Sequence, residues 1–172
     1  LIPLQSQSAG VVDPTFNLTG FKEITISPNT GTTTPQDQAN AVVVQSDGKI
    51  VLAGYARDGT NSTTSPPEQF ALVRLNTDGS QDAGFGTLGI VTTQAGTSTL
   101  NSGSRAQAVA VQTDGKIVAA GFANVDSPIP HPDFGLVRYN GNGSLDTNFG
   151  NGGKVTSTFA GALTFSASAT SL

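Results

Sequence analysis

Cysteine, methionine and tryptophan are all missing from this chain, and histidine occurs once. Without cysteine there is no disulfide, no thiolate nucleophile and no thiolate ligand. The single histidine, His131, sits between Pro130 and Pro132 in a stretch that reads as a solvated loop, so it cannot seed a zinc site. Charge is scarce as well: Asp, Glu, Lys and Arg make up 12% of the residues, where about a quarter is usual. Eight scattered basic residues against twelve acidic ones, for a net charge of -4, leave no basic stripe to neutralise a phosphate backbone, so nucleic acid is not an expected partner. No apolar run approaches the roughly 20 residues that span a bilayer, and no charged segment followed by an apolar one stands at Leu1. Helical patterning is missing too, because apolar residues at helical spacing are interrupted by Gly or Pro within every ten residues or so.

What is present is a repeat. Ala41 to Val51 reads Ala-Val-Val-Val-Gln-Ser-Asp-Gly-Lys-Ile-Val, and Ala108 to Val118 reads Ala-Val-Ala-Val-Gln-Thr-Asp-Gly-Lys-Ile-Val. In each copy two apolar runs flank an Asp-Gly pair, Asp47-Gly48 or Asp114-Gly115, which supplies the positive φ of a tight hairpin turn. The match continues from Gln69–Asp82 to Asp133–Asp146 and from Phe85–Thr92 to Phe149–Thr156, giving a period of about 65 residues. A degenerate third copy, Asp13-Pro-Thr-Phe16 followed by Gly20 to Thr25, lies 69 residues ahead of Asp82-Ala-Gly-Phe85. The 172 residues therefore divide into a half repeat over 1–26, a first repeat over 39–93, a second over 106–159 and a tail over 160–172, in one repeat domain.

Each full repeat predicts four short antiparallel strands: Ala41–Gln45, Lys49–Ala56, Phe70–Asn76 and Ile90–Thr93, then Ala108–Gln112, Lys116–Ala123, Phe134–Asn140 and Lys154–Thr158. In the second strand Ile50, Leu52 and Gly54 face one way and Val51, Ala53 and Tyr55 the other. Both faces are apolar, so the sheet must lie between two others. Four-stranded sheets that repeat and stack face on face are blades, and the expected class is all-β, a β-propeller-like array of two full repeats and an N-terminal half repeat. Leu163-Thr-Phe165 in the tail is a candidate further strand.

Several residues stand out chemically. Arg74 and Arg138 lie in otherwise apolar strands, each eight positions before an acid, Asp82 or Asp146, and predict a structural ion pair repeated in each blade. A catalytic arginine would have no need of a duplicate. Arg57 reads as an ordinary surface residue. The turns Asn76–Asp82 and Asn140–Asp146 place oxygen side chains at alternate positions, so calcium is an alternative there to a plain Asx-rich turn, which the small number of carboxylates favours. No other cofactor or metal is expected, and no catalytic set is found: Gly-x-Ser-x-Gly is absent, and the only acid near His131 is Asp133.

The strings Gln112–Gly121, Leu136–Asn140 and Gly143–Val155, with Gln45–Gly54 and Leu72–Val91, closely resemble the delta-60 repeat, a bacterial β-propeller repeat of secreted and cell-surface proteins. The resemblance implies blades and an extracytoplasmic location, secreted, cell-surface or periplasmic, which agrees with the low charge and the abundance of Gly, Ser and Thr. It implies no activity. The lack of any methionine leaves two alternatives, a mature form freed of a signal peptide or a fragment of a longer protein.

The expected function is a non-enzymatic structural and interaction module, a subunit or fragment of a larger propeller or envelope assembly. Its partners would be proteins or further copies of itself, through exposed blade faces; a large envelope or secretion-associated complex is one setting for that. Three chains would supply six blades, within the four to eight that close a ring. The alternative is a ligand- or glycan-binding, lectin-like propeller module that uses the proline-rich loops Asp58–Glu68 and Asn124–Pro132.

Overall fold

The structure is a computed structural model that describes residues 11–27, 36–57, 67–97, 103–125 and 131–157. Among these residues all regular structure is β, in eight strands: β1 Gln36–Val44, β2 Ile50–Arg57, β3 Gln69–Leu75, β4 Ile90–Thr93, β5 Arg105–Val111, β6 Ile117–Val125, β7 His131–Tyr139 and β8 Lys154–Ser157. They form two four-stranded antiparallel sheets in the simple orders β1-β2-β3-β4 and β5-β6-β7-β8. The two sheets stack face on face without closing a ring, and β1, β2 and β3 of the first pack on β5 of the second.

The alternation along the strands explains the stacking. Register pairs Val43 with Val51, Ala53 with Leu72, and Tyr55 with Phe70, which places these side chains on one face of the first blade. On the second blade Val111 pairs with Ile117, Ala119 with Val137, and Ile117 with Tyr139. Val51, Ala53, Phe70 and Leu72 join Ile117, Ala119, Val137 and Tyr139 in a single buried cluster, with Val43, Val109 and Val111 packed at its margin. The core is therefore the space between the blades. Small side chains let the sheets approach, and loss of a large one, such as Phe70, would cost about 3–5 kcal/mol.

The structure moves several boundaries. β1 begins at Gln36, five residues before the expected Ala41, and β5 at Arg105 instead of Ala108, because a bulge lets each inner strand continue along its partner past Asn40 and past Gln107. The hairpin between β6 and β7 is longer than the sequence suggests, with Val125 paired to His131 and Asn124 to Pro132. His131 thus belongs to a strand, not a loop. The tips of both proline-rich loops, 58–66 and 126–130, and the candidate strand Leu163–Phe165 lie outside the described residues.

Candidate functional site

The conspicuous side chains of the first blade converge on its junction with the second, and the second blade repeats their arrangement. Arg74, in β3, is buried, and its Nε donates to Asp82 Oδ2 at 2.8 Å; in the second blade Arg138 Nε meets Asp146 Oδ2 at the same distance. Each guanidinium also lies over a phenylalanine of its own repeat, Arg74 4.5 Å from the centroid of Phe85 and Arg138 4.4 Å from that of Phe149. Each acid caps the turn that carries this phenylalanine: Asp82 Oδ1 accepts from Gly84 N and Asp146 Oδ1 from Asn148 N.

The first set then reaches across to the second blade. Arg74 Nη1 donates to the carbonyl of Gly141, and Gly86 N donates to the carbonyl of Asn142 at 2.9 Å. Phe85, fully buried, lies against Gly143, where a Cβ would meet the Phe85 ring at 3.1 Å and Gly86 N at 3.0 Å. Asn40, the bulged residue of β1, donates from Nδ2 to the carbonyl of Ala106 in the bulge of β5 at 2.7 Å. Arginine, aspartate and phenylalanine are therefore one joint, laid from one blade to the turn of the next.

Lys49 adds a second cation, its Nζ 2.9 Å from Asp82 Oδ2. The Lys49 hydrogen bond, with further help from the Gly84 amide and Arg74 against the cost of burial, lowers the Asp82 carboxyl from an ordinary 3.8 to about 2. In the second repeat Lys116 bonds to Asp114 instead, at 2.7 Å. The Asp-Gly pairs behave as the sequence requires: Gly48 and Gly115 stand at φ of 81° and 82°, and Asp47 Oδ1 and Asp114 Oδ1 accept from Lys49 N and Lys116 N.

At the other end of the blades lies a cluster with no sequence signal. Glu68, buried just before β3, takes Arg57 Nη2 at 2.6 Å from its own blade, and both Nε and Nη2 of Arg105 from the second, Nη2 at 2.7 Å. Burial raises the Glu68 carboxyl, but Arg105 and then Arg57 outweigh it and hold it below the ordinary value. Arg105 also covers the Tyr55 ring at 4.3 Å. Arg57 is thus no free surface residue. The cluster could not be found from the repeat because the second copy has Asn124 where the first has Arg57.

The oxygens of the two candidate calcium turns are engaged by the turns themselves. Asp78 Oδ1 accepts from Ser80 N and Ser80 Oγ, and Asn142 Oδ1 from Ser144 N and Ser144 Oγ. Asn76 and Asn140 each donate to the serine hydroxyl of the same turn at 2.9 Å. These are Asx turns. Among the described residues no three His, Asp or Glu side chains gather in a metal-holding group. His131 Nε2 stands 3.3 Å from Asp133 Oδ1. Between the Asp-Gly turns runs a groove bordered by Gln45, Asp47, Lys49, Arg74 and Gln112.

Residues 45–85 and 112–149 match a family model described as a domain of unknown function (DUF5122) beta-propeller. The two matched stretches are the two repeats, from the hairpin turn to the phenylalanine of the joint, so the repeats are of a propeller type. No curated protein matches the chain significantly.

Proposed function

We propose that this chain is a non-enzymatic, extracytoplasmic structural and interaction module, a unit of a larger propeller or of an envelope or surface assembly. The observation that carries this reading is the use made of its charged and aromatic residues. Arg74, Asp82, Phe85 and Lys49 are spent on joining one blade to the next, and Glu68, Arg57 and Arg105 join them again at the far end. Residues that recur once per blade and point into a junction serve the geometry of an array, and array proteins work by the surfaces they present. The low charge and the resemblance to repeats of secreted and surface proteins support the location.

The test is a panel of hydrolase substrates on the purified chain and on His131→Ala and Asp133→Ala variants. Equal background rates in all three are expected; turnover that a single substitution abolishes would overturn the reading. A ligand- or glycan-binding module is the second reading, favoured by the groove between the Asp-Gly turns, where the Gln45 Oε1 is buried without a protein partner. Binding on a glycan array that Gln45→Ala removes would turn the assignment that way.

A further inference from the structure

Three asparagines of the chain, Asn140, Asn142 and Asn151, are followed directly by glycine. Such a pair can lose ammonia, because glycine carries no side chain to keep its backbone nitrogen away from the carboxamide carbon before it. The sequence ranks the three alike. The fold does not.

Asn142 is guarded at both reacting groups. The Gly143 amide, the nucleophile, donates to the Asn140 carbonyl at 2.9 Å, and Asn142 Oδ1 accepts from Ser144 N at 3.1 Å and from Ser144 Oγ at 2.8 Å. The same turn is pinned to the first blade by Gly86 N on the Asn142 carbonyl and by Phe85 against Gly143. Asn140 is guarded at its leaving group: Nδ2 donates to Ser144 Oγ at 2.9 Å and to the Leu145 carbonyl at 3.2 Å, while Arg74 holds the carbonyl of the residue that follows. Aspartate before glycine can close the same ring by losing water, and there too the glycine amide is engaged: Gly48, Gly79 and Gly115 donate to the carbonyls of Gln45, Asn76 and Gln112.

Asn151 and Gly152 are both exposed, in the turn that leads into β8. Asn151 N donates to the Lys154 carbonyl at 2.8 Å and Lys154 N returns to the Asn151 carbonyl at 3.3 Å, with Gly152 and Gly153 between them at φ of 60° and 94°. Among the described residues neither the Asn151 carboxamide nor the Gly152 amide has a hydrogen-bond partner, and a Cβ on Gly152 would meet nothing within 4 Å. The first repeat has Thr87 and Leu88 at these two places, which cannot react in this way.

We propose that Asn151-Gly152 is a modification site at which the folded chain spontaneously exchanges a neutral carboxamide for a carboxylate. Gly152 N gives its proton to hydroxide and attacks Asn151 Cγ; the N–Cγ bond forms, the Cγ–Nδ2 bond breaks, and Nδ2 takes a proton from water and leaves as ammonia. Water then opens the cyclic succinimide at one carbonyl or the other, giving aspartate or isoaspartate. Either product adds one negative charge to a chain of net charge -4, on the wall of a cavity bordered also by Ala95, Leu145, Lys154 and Val155. Isoaspartate in addition puts an extra methylene into the main chain of the turn, which breaks the pairing of Asn151 with Lys154 at the start of β8. The inference is independent of the interaction-module reading.

The test incubates the purified 172-residue chain at mildly alkaline pH, folded and in denaturant, and follows each asparagine by peptide mapping with mass spectrometry that separates aspartate from isoaspartate. In the folded chain Asn151 should convert at least about tenfold faster than Asn140 and Asn142, which react only in molecules whose turn has opened. In the unfolded chain the three rates should fall within about threefold of one another, since the guarding hydrogen bonds are gone. Equal rates at the three sites of the folded chain, faster conversion at Asn140 or Asn142, or no conversion at Asn151 overturns the proposal. A preference for Asn151 that survives unfolding belongs to the local sequence and overturns it as well.

Discussion

Asp82 concentrates the electrostatics of the joint in one carboxylate. Its pKa of about 2 in the folded chain lies below the roughly 3.9 of an unfolded aspartate, so the ionised form is the one that folding favours. The resulting stability is fully present above pH 4 and disappears as the pH falls through 4 towards 2, and it amounts to at most about 2 kcal/mol for a side chain that is 10% exposed. Denaturant midpoints at pH 5 and pH 2.5 should show the parent losing about that much more than Asp82→Asn. Equal losses would mean that Lys49 and Arg74 do not hold the carboxylate. Removal of Arg74 should cost about 3–5 kcal/mol, and more than removal of Arg138, because Arg74 also donates to the next blade and its side chain is 8% exposed against 23%. The Arg–Asp pairing was legible because eight-residue spacing recurs in both copies. The Glu68 cluster was not, since its three members come from separate parts of the chain and have no repeat to betray them.

Turns and bulges decide how the strands meet. Gly48, Gly115 and Gly143 all sit near φ of 80°, where a side chain costs about 1–2 kcal/mol on backbone grounds alone. A methyl group at Gly115 would meet nothing within 4 Å, so Gly115→Ala isolates that cost. At Gly143 it would also strike the Val91 side chain at 2.9 Å and the Gly86 amide at 3.0 Å. Gly143→Ala should therefore lower the Tm at least twice as far as Gly115→Ala, and equal shifts in a thermal melt would show that Phe85 does not seat there. Hairpins of this kind are readable from Asp-Gly between apolar runs. The long starts of β1 and β5 are not: Gln36 to Asn40 are polar and exposed, and backbone pairing around a bulge holds them without any burial that a pattern could reveal. The phenylalanine of the Asp-x-x-Phe motif could be aligned across three copies, but which blade it enters depends on the stacking, a relation between repeats that no single repeat encodes.

At the scale of the whole molecule, the described residues form one complete blade-to-blade junction between two four-stranded sheets. A sheet with two apolar faces needs a neighbour on each side, and natural proteins cover such faces and edges. Circular dichroism should show β structure with helix well under a fifth of the residues, since the described residues hold eight strands and no helix. The exposed Val42 and Val44 mark where association is expected, and the contact would be between unlike surfaces, which leads to rings or open chains and not to a two-fold dimer. Light scattering on the purified 172-residue chain at micromolar concentration tests this most directly. The account predicts particles heavier than one chain that shrink towards the single-chain mass in Val42→Asp/Val44→Asp; a stable, well-folded monomer would contradict it.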